Sequence, residues 1–477
     1  MQFPIQRLLN RATWLKVHLY LALIGGFFFA LMGLTGSISV YREDLDQLLN
    51  PQLVIEQPSG KRQSLDKIMA AVQAAHPERY GSWTLEMPRS PHGMITAWYD
   101  KPRETFFELY APLMVSVNPY TAEVVASRFW GQTATTWLLG LHTQLNLDSF
   151  GWNAVGVLGL LLMVSVATGV YLWWPGIRGI WDAIAAPVPG RLAAYTPSLA
   201  IKVRHNAGMI RLAFDLHRLI GLLSASVLLL LAFTGFNLSY PSILETLTGS
   251  SGMEHGETGR DIVSTATPNN HPVKLESAEF VARGPFPRAE LRRVTTPAGD
   301  SGIYRINLRQ GSEINQRHPY TTVWVDRWSG QVKEVRDPSG FSPGQTFATW
   351  IWPMHTGEAF GATGRFIWFL SGIGLFILYV SGLLHWLHRH GKVKDRKVKF
   401  IDKDAAAAAL RPLVYRLQDA VHRAGPMLFR LSGLLRQKAK LYAPQVRKGC
   451  AMLLQRLRSL IINLINRQKR IGKNNWE

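Results

Sequence analysis

Residues 350–365 read WIWPMHTGEAFGATGR, and residues 135–151 read TTWLLGLHTQLNLDSFG. In each, a histidine follows a tryptophan by five positions, is followed by Thr and precedes a long apolar run: His355 after Trp350, His142 after Trp137. The same passage is written twice. Outward from it, VHLYLALIGGFFFALMGLTG (17–36) aligns with LHRLIGLLSASVLLLLAFTG (216–235), so that His18 and His217 each lie eighteen residues before a glycine, Gly36 and Gly235. VSVNPYTAEVV (115–125) aligns with VWVDRWSGQVK (323–333), each reading as strand, tight turn and strand. His142 and His355 each lie twenty-seven residues before a glycine, Gly169 and Gly382. Three anchors in one order establish an internal repeat.

Four apolar runs, 17–41, 152–174, 219–240 and 366–387, are long enough to cross a bilayer as helices. The first is too long for a cleaved signal peptide, lacks a small-residue cleavage site, and is expected to be a retained anchor. Each repeat is then a helix going out, an external α+β module and a helix coming back. Both units enter from the same side, so the repeat is parallel, and equivalent residues can face each other at equal depth. The predicted fold is an α-helical membrane bundle of four transmembrane helices in two parallel-repeat pairs, with two external α+β modules and a basic helical tail.

The boundaries that follow are 1–16 for a cytoplasmic N-terminus, 17–41 for the first span and 42–131 for the first module. Residues 132–174 hold an interfacial helix and the second span, 175–216 a cytoplasmic loop, and 217–240 the third span. Residues 241–345 form the second module, 346–388 an interfacial segment and the fourth span, and 389–477 a basic amphipathic tail. In the first module 63–76 is apolar at helical spacing, with alternating runs near 82–87, 94–100 and 113–117; in the second, strands are expected near 303–308 and 321–326. The tail helices within 403–470 are expected on the inner leaflet, drawn to anionic membrane lipid, or in a cytoplasmic bundle.

The chain has 477 residues and a net charge of +21, yet a mean hydropathy of only +0.01. Nucleic-acid binding is one reading of such basicity, but its distribution follows the positive-inside rule better. The basic segments are the N-terminus, the 175–216 loop and the tail, which share one side if the chain crosses four times. Both termini are therefore expected in the cytoplasm, with no nucleic-acid partner. A single cysteine, Cys450, excludes intrachain disulfides and a protein-held iron–sulfur cluster. There is no C-x-x-C-H run for covalent haem and no glycine-rich nucleotide loop after a strand-like run.

Five histidines, His18, His142, His217, His355 and His385, lie in or near the apolar runs. Ionisable groups at that depth default to a functional hypothesis, against the plain reading of an interhelical hydrogen bond. Two imidazoles from facing helices can hold a haem iron in an apolar slot. Zinc is the rival, but it favours clustered ligands at short spacing. His142 and His355 are expected to meet near the outer surface. The inner level offers His18, His217 and His385; His385 breaks the repeat, its counterpart being Leu172. His217 with His385 is the expected inner pair and His18 the rival partner, while His388 and His390 are taken as solvated. Gly25, Gly26, Gly33, Gly36, Gly169, Gly235, Gly372, Gly374 and Gly382 allow either close approach of a macrocycle or close helix packing. Two haems, one near each face, make an electron wire across the membrane.

The histidine-to-glycine spacing of the outgoing span, the strand-turn VNPYTAEV, and LHT followed by TGVYLWWP resemble the PepSY-associated transmembrane family over residues 10–390. Within it the chain resembles the bacterial inner-membrane ferric-siderophore reductases. That resemblance implies PepSY-like periplasmic modules, b-type haem, likewise expected as two bis-His groups, a ferric siderophore as substrate, and release of Fe(II) in the periplasm. The sequence departs from the pattern at VDRWSGQV, which lacks Pro-Tyr, and at Leu172. The electron donor is open between a quinol and a flavoprotein. The aromatic residues Trp83, Trp98, Tyr99, Phe106, Phe107, Tyr110, Tyr120 and Trp130 are either a docking surface or, as favoured, module core; Trp137, Trp350 and Trp352 are expected at the outer interface. The competing functions are a PepSY-bearing regulator or sensor without haem, and an electron-transfer anchor for a soluble partner.

Overall fold

A computed structural model describes residues 10–185, 203–204, 208–250, 262–266 and 271–396. The tail expected within 403–470 and most of the 186–207 loop lie outside the described residues.

The first unit starts with α1 (Arg11–Ile24) and α2 (Gly26–Val40), which meet at a 62° bend, followed by α3 (Arg42–Leu49). Its module holds α4 (Leu65–Ala75), β1 (Thr84–Glu86), β2 (Ile95–Tyr99), β3 (Leu113–Val117) and β4 (Val124–Phe129). A short α5 (Ala134–Gln144) leads into the long α6 (Asp148–Ala185). The second unit repeats the plan with α7 (Met209–Ser239), α8 (Pro241–Thr248), α9 (Leu275–Arg283), β5 (Glu290–Thr295), β6 (Ile303–Arg309), β7 (Thr322–Asp326), β8 (Val332–Arg336), α10 (Pro343–Thr356) and α11 (Gly361–Arg389). Three helices are long and apolar enough to cross a membrane, and α1 with α2 makes a fourth span if the bent pair counts as one.

The two modules are not separate bodies. Their strands form one eight-stranded antiparallel sheet in the order β4-β3-β2-β1-β5-β6-β7-β8. The seam is β1 against β5, with Thr84, Leu85 and Glu86 opposite Thr295, Val294 and Arg293. Alternation does the rest: in β6, Tyr304, Ile306 and Leu308 are buried in the shared core, while Arg305, Asn307 and Arg309 alternate with them. Burying Leu85, Val294 or Ile306 stabilises by about 1.5–3 kcal/mol each. On that apolar face α4 and α9 cap each other. Glu276 accepts from Leu65 N at 2.7 Å, and Asp66 accepts from Leu275 N at 2.8 Å and Glu276 N at 3.1 Å. Each carboxylate thus satisfies amides that a helix start leaves without a partner. The other face leans on α3, where Arg128 forks onto Asp46 at 3.0 and 2.9 Å.

The hairpin turns match despite their different residues. Asn118 Oδ1 accepts from Tyr120 N and Thr121 N; Asp326 Oδ1 accepts from Trp328 N and Ser329 N. Ala122 (φ 63°) and Gly330 (φ 70°) hold the same left-handed position. Burial alone would raise the Asp326 carboxyl, but amides of Ser329, Thr265 and Trp328, with Lys333, hold it at about 2. The missing Pro-Tyr therefore leaves the turn itself unchanged.

Beneath the sheet, the outgoing helix of each unit packs along the returning helix of the other, α2 on α11 and α7 on α6. The crossings are repeat-related. A Cβ on Gly33 would stand 2.6 Å from Gly372 O, and one on Gly159 would stand 3.1 Å from Ala232 O, so the backbones touch. Phe29, Leu228 and Leu375 fill the middle of the bundle.

Candidate functional site: two histidine pairs

Short capped helices aim the outer histidines. Thr133 and Thr136 form a capping box on α5, and Ser342 and Gln345 form one on α10, with Pro343 in its first turn. Both helices stop at a left-handed residue, Leu145 (φ 52°) and Gly357 (φ 79°), just past His142 and His355. The two rings face each other with centroids 6.2 Å apart. The inner pair is His18 with His217, centroids 6.4 Å apart. His217 and the outer cradle residue Thr234 lie seventeen residues apart on α7, about 25 Å along the axis. The pairs therefore sit near opposite ends of the bundle, with the Phe29–Leu228–Leu375 cluster in the span between them.

All four rings are held in one way. His142 Nδ1 lies 3.1 Å from Met32 O and 3.3 Å from Thr35 Oγ1. His355 Nδ1 lies 2.9 Å from Thr234 Oγ1. His18 Nδ1 lies 3.0 Å from Ser165 O and 3.1 Å from Thr168 Oγ1, and His217 Nδ1 lies 2.9 Å from Leu378 O and 3.0 Å from Ser381 Oγ. Each hydroxyl donates its own proton to a carbonyl of its helix: Thr35 to Leu31, Thr168 to Val164, Thr234 to Leu230, Ser381 to Leu378. The hydroxyl and the carbonyl are then both acceptors, so Nδ1 carries the hydrogen and Nε2 keeps its lone pair. Nε2 of these four rings has no hydrogen-bond partner among the described residues. The next residue in every cradle is glycine. A Cβ there would stand 2.7 Å (Gly36), 3.1 Å (Gly169), 3.1 Å (Gly235) or 3.3 Å (Gly382) from the ring's Cε1.

The expected partner of His217 is His385, with His18 as the rival; the structure sets the His18 ring beside it. The ring of His385 lies tilted against Phe214, centroids 5.4 Å apart, and its buried Nδ1 makes no hydrogen bond among the described residues. Symmetry is the reason: His18 and His217 are repeat-equivalent and meet across the axis, whereas His385 has no counterpart to meet. His388 and His390 bond carbonyls of their own segment, Val393 and Trp386. The glycines divide by role, for Gly33 and Gly372 pack helices and Gly26 lies against Tyr379. The aromatic set divides too. Trp83 is core, while Phe106, Phe107 and Tyr110 are exposed, against the expectation that all belong to it. Thr35, Thr168, Thr234 and Ser381 escaped sequence reading as site residues. Their signal was present, since each directly precedes a glycine used to align the repeat or its spans.

The residues fit a haem better than a bare ion. With a metal–nitrogen bond of about 2.0 Å, two imidazoles in line across one metal stand about 6 Å apart, centroid to centroid. No group of three or more His, Cys, Asp or Glu gathers as for a metal ion among the described residues. A tetrahedral zinc site needs such a group, while a porphyrin leaves two axial positions for protein ligands.

Paired apolar helices beneath a shared α+β layer, with histidines at two depths, define a multi-pass membrane protein built from a repeat. The chain belongs to the PepSY-associated TM region family, whose model matches residues 15–389. No curated protein matches it.

Proposed function

We propose that this protein is a haem-containing reductase of the bacterial inner membrane that carries electrons across the bilayer to a ferric siderophore. The observation that carries the reading is the fourfold cradle: Nδ1 tied to a carbonyl or hydroxyl, Nε2 free, rings paired at a separation suited to one iron. His142 and His355 would hold the outer haem, and His18 and His217 the inner one. Bound haem supplies reversible one-electron chemistry at each level. The chain's own residues do the rest. The cradles fix ring orientation and raise ligand basicity, and the Phe29 cluster keeps water from the middle of the bundle. The basic segments favour cytoplasmic termini, and the sheet would then lie in the periplasm above the outer pair. There, one electron converts siderophore-bound Fe(III) to Fe(II), which hard oxygen donors hold less well. The electron donor is a quinol or a cytoplasmic flavoprotein.

The test uses purified full-length protein, reduced with dithionite, freed of excess and mixed anaerobically with a ferric hydroxamate siderophore and a colorimetric Fe(II) chelator. The expected result is reoxidation of b-type bands with one Fe(II) trapped per reduced haem. Bands that stay reduced would leave an electron-transfer anchor for a soluble partner. Absence of b-type bands would favour the haem-free regulator.

A further inference from the structure

The loop between β2 and β3 reads KPRETFFELYA (101–111) and is the most exposed apolar segment of the sheet layer. Phe107 is 96% exposed, and Phe106, Leu109 and Tyr110 are exposed beside it. Core packing does not account for Phe106, Phe107 and Leu109, although they follow Thr105, whose hydroxyl is buried against Ala111 O at 2.6 Å, while the Tyr110 ring packs edge-on against Trp130 at 5.6 Å. Leu109 N donates to Asp148 Oδ1 at 3.3 Å. Asp148 is the first residue of α6 and of that helix's membrane-spanning stretch. Two residues on, Phe150 is 76% exposed, and Leu147 is exposed just before it. The loop and the start of the span thus form one apolar rim at the depth where a bilayer's interfacial zone begins.

We propose that this rim inserts into the outer leaflet and anchors the sheet to the lipid on the first unit's side. Lipid is the occupant because the loop is tied at Leu109 to the first residue of a spanning helix, beside the exposed Phe150 of that helix. Phenylalanine and leucine at its tip with tyrosine beside them suit the headgroup boundary, where an amphipathic ring is favoured. The only acidic residues in the loop are Glu104, paired with Arg79, and Glu108. Among the described residues, the matching loop of the second unit carries no exposed large apolar side chain. That loop, residues 310–321, turns inward: Arg317 pairs with Glu43, and the His318 ring packs edge-on against Trp352 at 5.0 Å. The sheet is therefore lipid-anchored on the first unit's side, while Arg317, Arg89 and Arg365 are taken up by ion pairs with Glu43, Glu358 and Asp44. This inference holds with or without haem.

The test is nitroxide accessibility in lipid nanodiscs. Full-length protein carrying Cys450→Ser is labelled at Phe107→Cys and, as a control, at Phe280→Cys, which is 78% exposed on α9 across the sheet. At position 107, collisions with oxygen should exceed those with a water-soluble nickel chelate several-fold, and position 280 should show the reverse. Equal behaviour of the two sites would place the loop in water. Protection of position 107 from both relaxants would place it against protein. Either result overturns the proposal. Phe150→Cys, labelled in the same background, gives the lipid-exposed reference from the span; if Phe107→Cys does not fold, Phe106→Cys, at a loop position 62% exposed, decides in its place.

Discussion

The two repeats agree at the histidines and disagree between them. In the first unit the outgoing helix breaks at Gly25–Gly26; in the second, α7 runs unbroken through the matching Ser224–Ala225. The break falls at a glycine pair, and Gly26 lies against the Tyr379 ring, where a Cβ would come within 2.6 Å of Cδ2. Yet His18 and its cradle keep the geometry of His217 and its own, although one sits on a bent pair of helices and the other on a straight one. The backbone path has diverged while ring placement has not. The same ring geometry is thus reached on two different backbone paths, and the freedom lies in the packing around the rings.

The contrast can be broken deliberately. Gly26→Ala forces the first unit toward the second unit's sequence against the Tyr379 ring and should destabilise by about 1–3 kcal/mol, the cost of overpacking. Ala225→Gly, the reverse exchange in α7, should cost about 1 kcal/mol through helix propensity alone. Thermal unfolding in detergent checks both, and equal losses would deny that Tyr379 makes the difference. A smaller effect is expected at the hairpin turns. Ala122→Gly relieves a left-handed residue but removes a buried methyl and should stabilise by only about 0.5 kcal/mol, while Gly330→Ala should destabilise by a similar amount. Matching signs would show that the two turns are not equivalent.

Much of this was legible in sequence because repeats and apolar runs depend on spacing alone. Four apolar runs, two units and two histidine levels follow from counting. The fused sheet did not follow. Its seam strand β1 has only three residues, and in β5 a bulge between Leu291 and Arg293 breaks the two-residue alternation, so that Leu291 and Val294 face the core three positions apart. The bend at Gly25 was hidden because glycine pairs also serve straight, closely packed helices. The neighbour of His217 was hidden for another reason: three histidines share the inner level, and the structure sets the repeat-equivalent His18, rather than His385, ring to ring with it.

The most direct measurement is haem content per chain, from reduced-minus-oxidised spectra, in His18→Ala and His385→Ala beside the unaltered protein. The account predicts two haems in the unaltered protein, about one in His18→Ala and two in His385→Ala. Loss of a haem in His385→Ala with both retained in His18→Ala would contradict it.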